Sequence, residues 1–259
     1  MSIQKCLQIR TLSKINQLSP GPLVNITVCS FQEMKSEIFL QLGISDNLDF
    51  YNLNGFQLFE DDFPSIVNKD IIYVTIEGQE FPFNEYIKEF EIIQEIGRGG
   101  FGIIFLVSHI ITKEYRAIKK IPKKNINLNA ENKHIDIMNE AKTIQKLNHP
   151  NIIKIYNAFC YRSYLYLFLE YIKAGDLGKF LHKHGLFNES QAKIIFTQLL
   201  NAIHYCHDHK IVHRDLKLEN ILITNESNLS IKIIDFGISG FVDEISDAGT
   251  LRFLPLEVA

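Results

Sequence analysis

The sequence has no excess of basic residues, no closely spaced cysteine pairs, no long apolar run and no internal repeat or low-complexity tract. Each absence removes a class of function. Lys and Arg number 27 against 30 Asp and Glu, a net charge of −3, so no positive field exists for a phosphate backbone and nucleic acid is not an expected partner. Cys6, Cys29, Cys160 and Cys206 lack the spacing of a zinc ribbon or a small disulfide framework, and reduced thiols are expected. No apolar stretch approaches the length of a membrane span, and Lys5 and Arg10 stand where a signal peptide needs its apolar core. No membrane association is expected, and the expected location is cytoplasmic. What is present is the composition of an ordinary globular protein: 46% hydrophobic and 22% charged residues in 259, enough for one large domain or two smaller ones.

Residues 1 to about 85 read as a small mixed module. "CLQIRTL" and "LVNITVCS" are β-rich runs around "SPGP". "FQEMKSEIFLQLG" has helical spacing at Met34, Ile38 and Leu42 and stops at Gly43, and "DIIYVTIEG" is a further strand. Strands, helix, strands in this length resembles a β-grasp domain of the ubiquitin-like or doublecortin-like kind, which implies a docking module for a protein partner; the alternative is an N-terminal fold without one. "EGQEFPFNEYIKEF", with Pro82, is expected to be a polar connector, and a different pattern begins at Phe90.

"EIGRGGFGIIFLV" contains GxGxxG at Gly97, Gly99 and Gly102. A dinucleotide fingerprint would open a helix, whereas "GIIFLV" is β-branched and aromatic and predicts strand, glycine loop, strand. No Lys-Ser or Lys-Thr follows the last glycine, which excludes a P-loop. A hairpin whose backbone can close over phosphates is left. In the next strand, "YRAIKKI", alternation puts Ala117, Lys119 and Ile121 on one face. Such a lysine commonly snorkels to solvent. Here "HIDIMNEAKTIQKLNHP" offers it a carboxylate, since Glu140 flanks the apolar stripe Ile137, Ala141, Ile144, Leu147.

In order, "GRGGFG", "RAIK", Glu140 nine residues before the histidine of "HPNI", "HRDLKLEN" and "DFG" resemble a eukaryotic protein kinase over residues 90–259. The resemblance implies an α+β bilobal fold, with a β-rich N-lobe over 90–171 and a partial helical C-lobe over 172–259, that uses ATP and Mg²⁺ on protein substrates. It implies that Asp215 accepts or orients the substrate hydroxyl proton, that Asn220 and Asp235 hold magnesium, and that Lys119, paired with Glu140, contacts the phosphates. Lys217 resembles the lysine of serine/threonine kinases that tyrosine kinases lack, so Ser or Thr is the implied acceptor. The implied nucleotide contacts are Ile96, Gly97, Gly99, Gly102, Ile104, Ala117, Lys119, the hinge from Glu170 to Ile172 behind a Leu169 gatekeeper, and Asp176 at the ribose. A calcium/calmodulin-kinase-like or energy-sensor-like group is implied.

"NESQAKIIFTQLLNAIHYC" predicts a core helix, with Asn188 and Gln191 in capping-box spacing and Ala192, Ile195, Leu199, Ile203 and Cys206 on one face. A zinc site can be drawn through His204, Cys206, His207, His209 and His213, but the helix ends inside that run. In kinases of this type the arginine at the position of Arg214 meets an activation-segment phosphate. Ser246 is the better acceptor, Ser239 another, while Thr250 resembles a structural contact; Asp243, Glu244 and Asp247 offer fixed negative charge instead. "PLE" at 255–257 departs from the family's Ala-Pro-Glu, and the residues from 90 to 259, about 170, fall short of the roughly 250 the fold resembles needing. The chain is therefore expected to be C-terminally truncated. Two expectations follow: a protein Ser/Thr kinase, or a catalytically silent fragment that binds nucleotide or a protein partner.

Overall fold

A computed structural model describes residues 4–11, 23–43, 48–76, 81–99, 102–123, 145–213, 215–235 and 240–241. Glu140 with Ile137, Ala141 and Ile144 of its stripe, Arg214, and the acceptors and acidic residues between Ser246 and Glu257 lie outside the described residues, as do Ser239, Asp243 and Glu244; Leu147, the last of the stripe, is described and buried. Two compact units form: Met1–Ile92 with Ser108–Glu114, and Ile93–Val107 with Tyr115–Ala259. No helix among the described residues is long and apolar enough to cross a membrane.

In the first unit, strands β1 (Lys5–Thr11), β2 (Leu23–Val28), β3 (Leu48–Tyr51), β4 (Gln57–Leu58) and β5 (Ile71–Ile76) form one sheet in the order β2-β1-β5-β3-β4. β1 runs antiparallel to β2 and parallel to β5, and β3 is antiparallel to β4 and β5. Helix α1 (Phe31–Leu42) starts where the Ser30 hydroxyl accepts the Glu33 N–H at 3.1 Å, and ends on Gly43, whose φ of +65° is the left-handed cap that favours glycine. Met34 and Ile38 drop into a core with Leu7, Ile9, Ile26 and Val74, as the helical spacing predicts. The sequence patterns did not reveal β3 and β4, which are too short to show a period.

The expectation of a polar connector is corrected. Helix α2 (Phe83–Tyr86) and a 3₁₀ turn over Ile87–Glu89 follow Phe81, and Phe83, Tyr86, Glu89 and Phe90 are all buried. Phe83 and Tyr86, three apart, share one face of the helix, while Asn84 and Lys88 are exposed.

Strands β6 (Phe90–Gly99) and β7 (Gly102–His109), which fall in the second unit from Ile93 to Val107, with β8 (Tyr115–Pro122), β9 (Ile155–Tyr161) and β10 (Tyr164–Glu170), give a sheet in the order β6-β7-β8-β10-β9. Helices α3 (Leu177–His184) and α4 (Glu189–Asp208), strand β11 (Ile211–Val212), the hairpin β12 (Ile221–Asn225)–β13 (Ser230–Ile233) and β14 (Gly240–Phe241), paired with β11, complete it. The capping box on α4 is formed, with Asn188 Oδ1 accepting from Gln191 N at 2.9 Å and Gln191 Oε1 from Asn188 N at 3.0 Å. Ile195, Leu199, Ala202 and Cys206 are buried against Ile223 and Ile231.

Ile38 is 1% exposed beneath the first sheet. Ile38→Ala is expected to destabilise that unit by about 2–5 kcal/mol, measured by urea unfolding.

Candidate active site

The β12–β13 hairpin and the segment before it bring the acidic and basic side chains together. Asp215 is 7% exposed, and Oδ2 accepts from Lys217 Nζ at 2.7 Å and from Asn220 Nδ2 at 3.0 Å; the same amide nitrogen donates to the Asp215 carbonyl at 2.7 Å. A buried carboxylate needs this neutralising set. Because the Asn220 amide nitrogen is engaged, only its oxygen could serve a hard cation.

Asp235 stands on the other side of the site. Its Oδ1 accepts from Lys119 Nζ at 2.5 Å, joining β8 to the end of β13. Lys119 is 6% exposed, so the strand carries it inward. Spacing assigned Glu140 as its partner; among the described residues the carboxylate that meets it is that of Asp235. The backbone of Asp235 adopts φ of +61°, a left-handed conformation that Asp tolerates better than most residues.

A backbone latch connects the two groups. Ile234 N–H donates to the Asn220 carbonyl at 2.8 Å, and the Ile234 carbonyl is 2.9 Å from His213 Nε2. His213 Nδ1 accepts the Asp215 N–H at 3.2 Å, so the ring proton resides on Nε2 and is donated to Ile234. His213 is 3% exposed, and burial holds its imidazole below the ordinary 6.5, against the pull of the Ile234 carbonyl and the carboxylates of Asp235 and Asp215. The sequence had placed His213 in the loop without this role.

The glycine positions differ sharply. Gly102 has φ of +145°, and a Cβ there would lie 2.3 Å from the Lys120 carbonyl oxygen of β8, so only glycine fits. Ile96, Gly97 and Gly99 lie at the end of β6; a Cβ on Gly97 would touch Ile104 Cδ1 at 3.5 Å, and one on Gly99 would meet nothing within 4 Å among the described residues.

On β10, Leu169 is opposite Ala117 and Leu167 opposite Lys119. Glu170 N–H donates to the Lys154 carbonyl at 3.0 Å, while its carboxylate meets Lys232 Nζ at 2.8 Å. Lys232 was not singled out from the sequence; its signal was its place between Ile231 and Ile233, which puts it on the opposite side of β13 from their buried side chains. Ile172 packs on the core of the second unit. Asp176 is the N-cap of α3: Oδ1 accepts from Lys179 N at 2.8 Å and Oδ2 lies 2.8 Å from Lys179 Nζ. Burial pushes its carboxyl up, but these Lys179 contacts prevail and hold it below the usual carboxylate value.

Residues 90–258 match the family model for the protein kinase domain. The chain is 38% identical over 167 residues to serine/threonine-protein kinase SIK1 of Mus musculus, covering 64% of this chain and 20% of that protein. It is 39% identical over 152 residues to serine/threonine-protein kinase SIK2 of Gallus gallus, covering 59% and 18%. The chain thus spans about a fifth of the length of these curated relatives.

Gly102→Ala is expected to cost at least ~2 kcal/mol in urea unfolding, since it adds backbone strain to a collision with main chain. Gly99→Ala should stay within about 0.5 kcal/mol. A second expectation concerns acid. The folded value of His213 is lowered, so the unfolded chain takes up the proton first; the stability His213 contributes is complete above pH 6.5 and is lost as pH falls through the folded value. As pH falls below 6.5 the urea midpoint should therefore drop more steeply in the wild type than in His213→Gln, which does not titrate.

Proposed function

Because the chain belongs to the protein kinase family, we propose that it transfers the γ-phosphoryl group of ATP to serine or threonine hydroxyls of protein substrates. The observation that carries this is the meeting of Asp215, Lys217 and Asn220 within 2.7–3.0 Å of one another, latched through Ile234 to the Lys119–Asp235 pair. Likeness to serine/threonine-protein kinases SIK1 and SIK2 supports the choice of acceptor. Within the family we place the chain in the calcium/calmodulin-kinase-like or energy-sensor-like group.

The roles follow from the chemistry of each group. The hydroxyl oxygen of the substrate attacks the γ-phosphorus, the bond to the bridging oxygen of ADP breaks, and the hydroxyl proton passes to Asp215 Oδ. Lys217 neutralises charge on the moving phosphoryl group, and its 2.7 Å contact with Asp215 holds it beside the proton acceptor. Lys119 holds phosphate oxygens, and Glu140 is its proposed positioning partner. The Asn220 amide oxygen and the Asp235 carboxylate are the oxygen donors that would hold magnesium, which when bound neutralises phosphate charge. The backbone at Gly97, Gly99 and Gly102 covers the phosphates, Ile96, Ile104 and Ala117 enclose the base, the main chain from Glu170 to Ile172 meets its polar edge, and Asp176 the ribose.

We read the sheet of residues 5–76 as a β-grasp module, a fold that its strand order, the parallel β1–β5 pair and α1 against one face support, and propose that it docks a protein partner. The four cysteines are free thiols, which supports a reducing, cytoplasmic setting.

With radiolabelled ATP, magnesium and a serine-containing peptide, Asp215→Asn is expected to lower kcat by about 10²- to 10⁴-fold, the span of a lost general base. Equal transfer by wild type and Asp215→Asn would refute the proposal.

A further inference from the structure

The face of the first sheet opposite α1 is built as a receptor for the chain that follows it. Register places Arg10 of β1 level with Tyr73 of β5, and Tyr73 level with Tyr51 of β3. Each member of this row meets a residue from beyond the sheet. Arg10 Nη2 donates to Glu89 Oε1 at 2.9 Å and its Nε lies 2.7 Å from Oε2. Tyr73 Oη is 2.7 Å from His109 Nε2, and the Tyr51 ring stands edge-on to Phe81 at 4.8 Å. Tyr86 fills the middle, edge-on to Tyr73, Phe81 and Phe90, with its hydroxyl donated to the Leu53 carbonyl.

The groups involved are too deeply buried for incidental contact. Glu89 and Tyr73 are wholly buried and His109 is 1% exposed. A buried carboxylate stranded without its arginine is strongly unfavourable. Thr112 N–H donates to His109 Nδ1 at 3.1 Å, so the ring carries its proton on Nε2 and donates it to the Tyr73 hydroxyl oxygen. Ile110 N–H donates to the Glu89 carbonyl at 2.8 Å. The turn between β7 and β8 is thereby tied twice, through His109 to β5 and through Ile110 to the residue that Arg10 of β1 holds.

We propose that the sheet of residues 5–76 is a fastening for the β7–β8 turn: the conformation of residues 108–114 depends on the row Arg10, Tyr73, Tyr51.

Hydrogen exchange on the whole chain tests this without reference to phosphate transfer. Tyr73→Phe removes one oxygen and leaves the ring; the amides of Ile110 and Thr112 should then exchange about tenfold faster, the factor expected for one buried hydrogen bond. Amides of α4 should be unchanged. Arg10→Met should loosen the same turn, and Arg10→Met with Glu89→Met should loosen it less, because no charge is stranded. Exchange at 108–114 unaltered by Tyr73→Phe would overturn the proposal, as would equal acceleration in α4. A double variant no better than Arg10→Met would remove the ion pair as an anchor. Should Arg10→Met not fold, Tyr73→Phe decides alone.

Discussion

Both backbone groups of Ile234 are engaged, its N–H by the Asn220 carbonyl and its carbonyl by the His213 ring, and the placing of the site's charges depends on that peptide. Asp235 is the next residue, so any slide of Ile234 carries the Asp235 carboxylate away from Lys119. Asn220, whose main-chain carbonyl takes the Ile234 N–H, holds Asp215 through its side-chain amide nitrogen. Upstream, Ile233 exchanges hydrogen bonds with Asn151 and Ile153, and Gln198 of α4 links Asn151 to Ile231. From the centre of a core helix to the two carboxylates there is a continuous run of hydrogen bonds, most of them to main chain, which is the kind of support that survives changes of surrounding side chains.

The charged groups of the site are expensive to bury, and the structure deals with this by pairing. Asp215 and Lys119 are each less than a tenth exposed, and each meets an opposite charge within hydrogen-bond distance. Such pairs contribute little to stability compared with apolar residues of the same volume, because desolvation offsets most of the attraction. Their value is geometric: they fix a lysine and a carboxylate in defined positions.

The charged residues of the candidate site were legible in the sequence, and much of their support was not. Lys119 was readable because "RAIK" places a charge in an apolar strand, and the α4 capping box because Asn188 and Gln191 carry their spacing openly. Gly102 was named for its motif, but the reason glycine is required there, the Lys120 carbonyl on the next strand, is a tertiary fact. The Lys119–Asp235 pair joins residues 116 positions apart, and no local pattern encodes it. The same holds for Lys232 and Glu170, 62 apart. The latch at Ile234 was invisible for another reason: it is made by main chain, which leaves almost no trace in side-chain identity.

One misjudged segment did carry its signal. A sheet with one solvated face should alternate, yet in "IIYVTI" the first five residues are all buried, the pattern of a strand covered on both sides. The helix accounts for Ile72 and Val74 only. Tyr73, on the other face, needs its own cover and a partner for its hydroxyl, since burying a phenol without one is unfavourable. "PFNEYIKEF" supplies the aromatic rings and Glu89, while His109 supplies the hydrogen bond, so the length of apolar run in β5 already required that the residues after the sheet fold back onto it. Counting polar residues in that connector concealed this; asking what covers the second face of β5 would have revealed it.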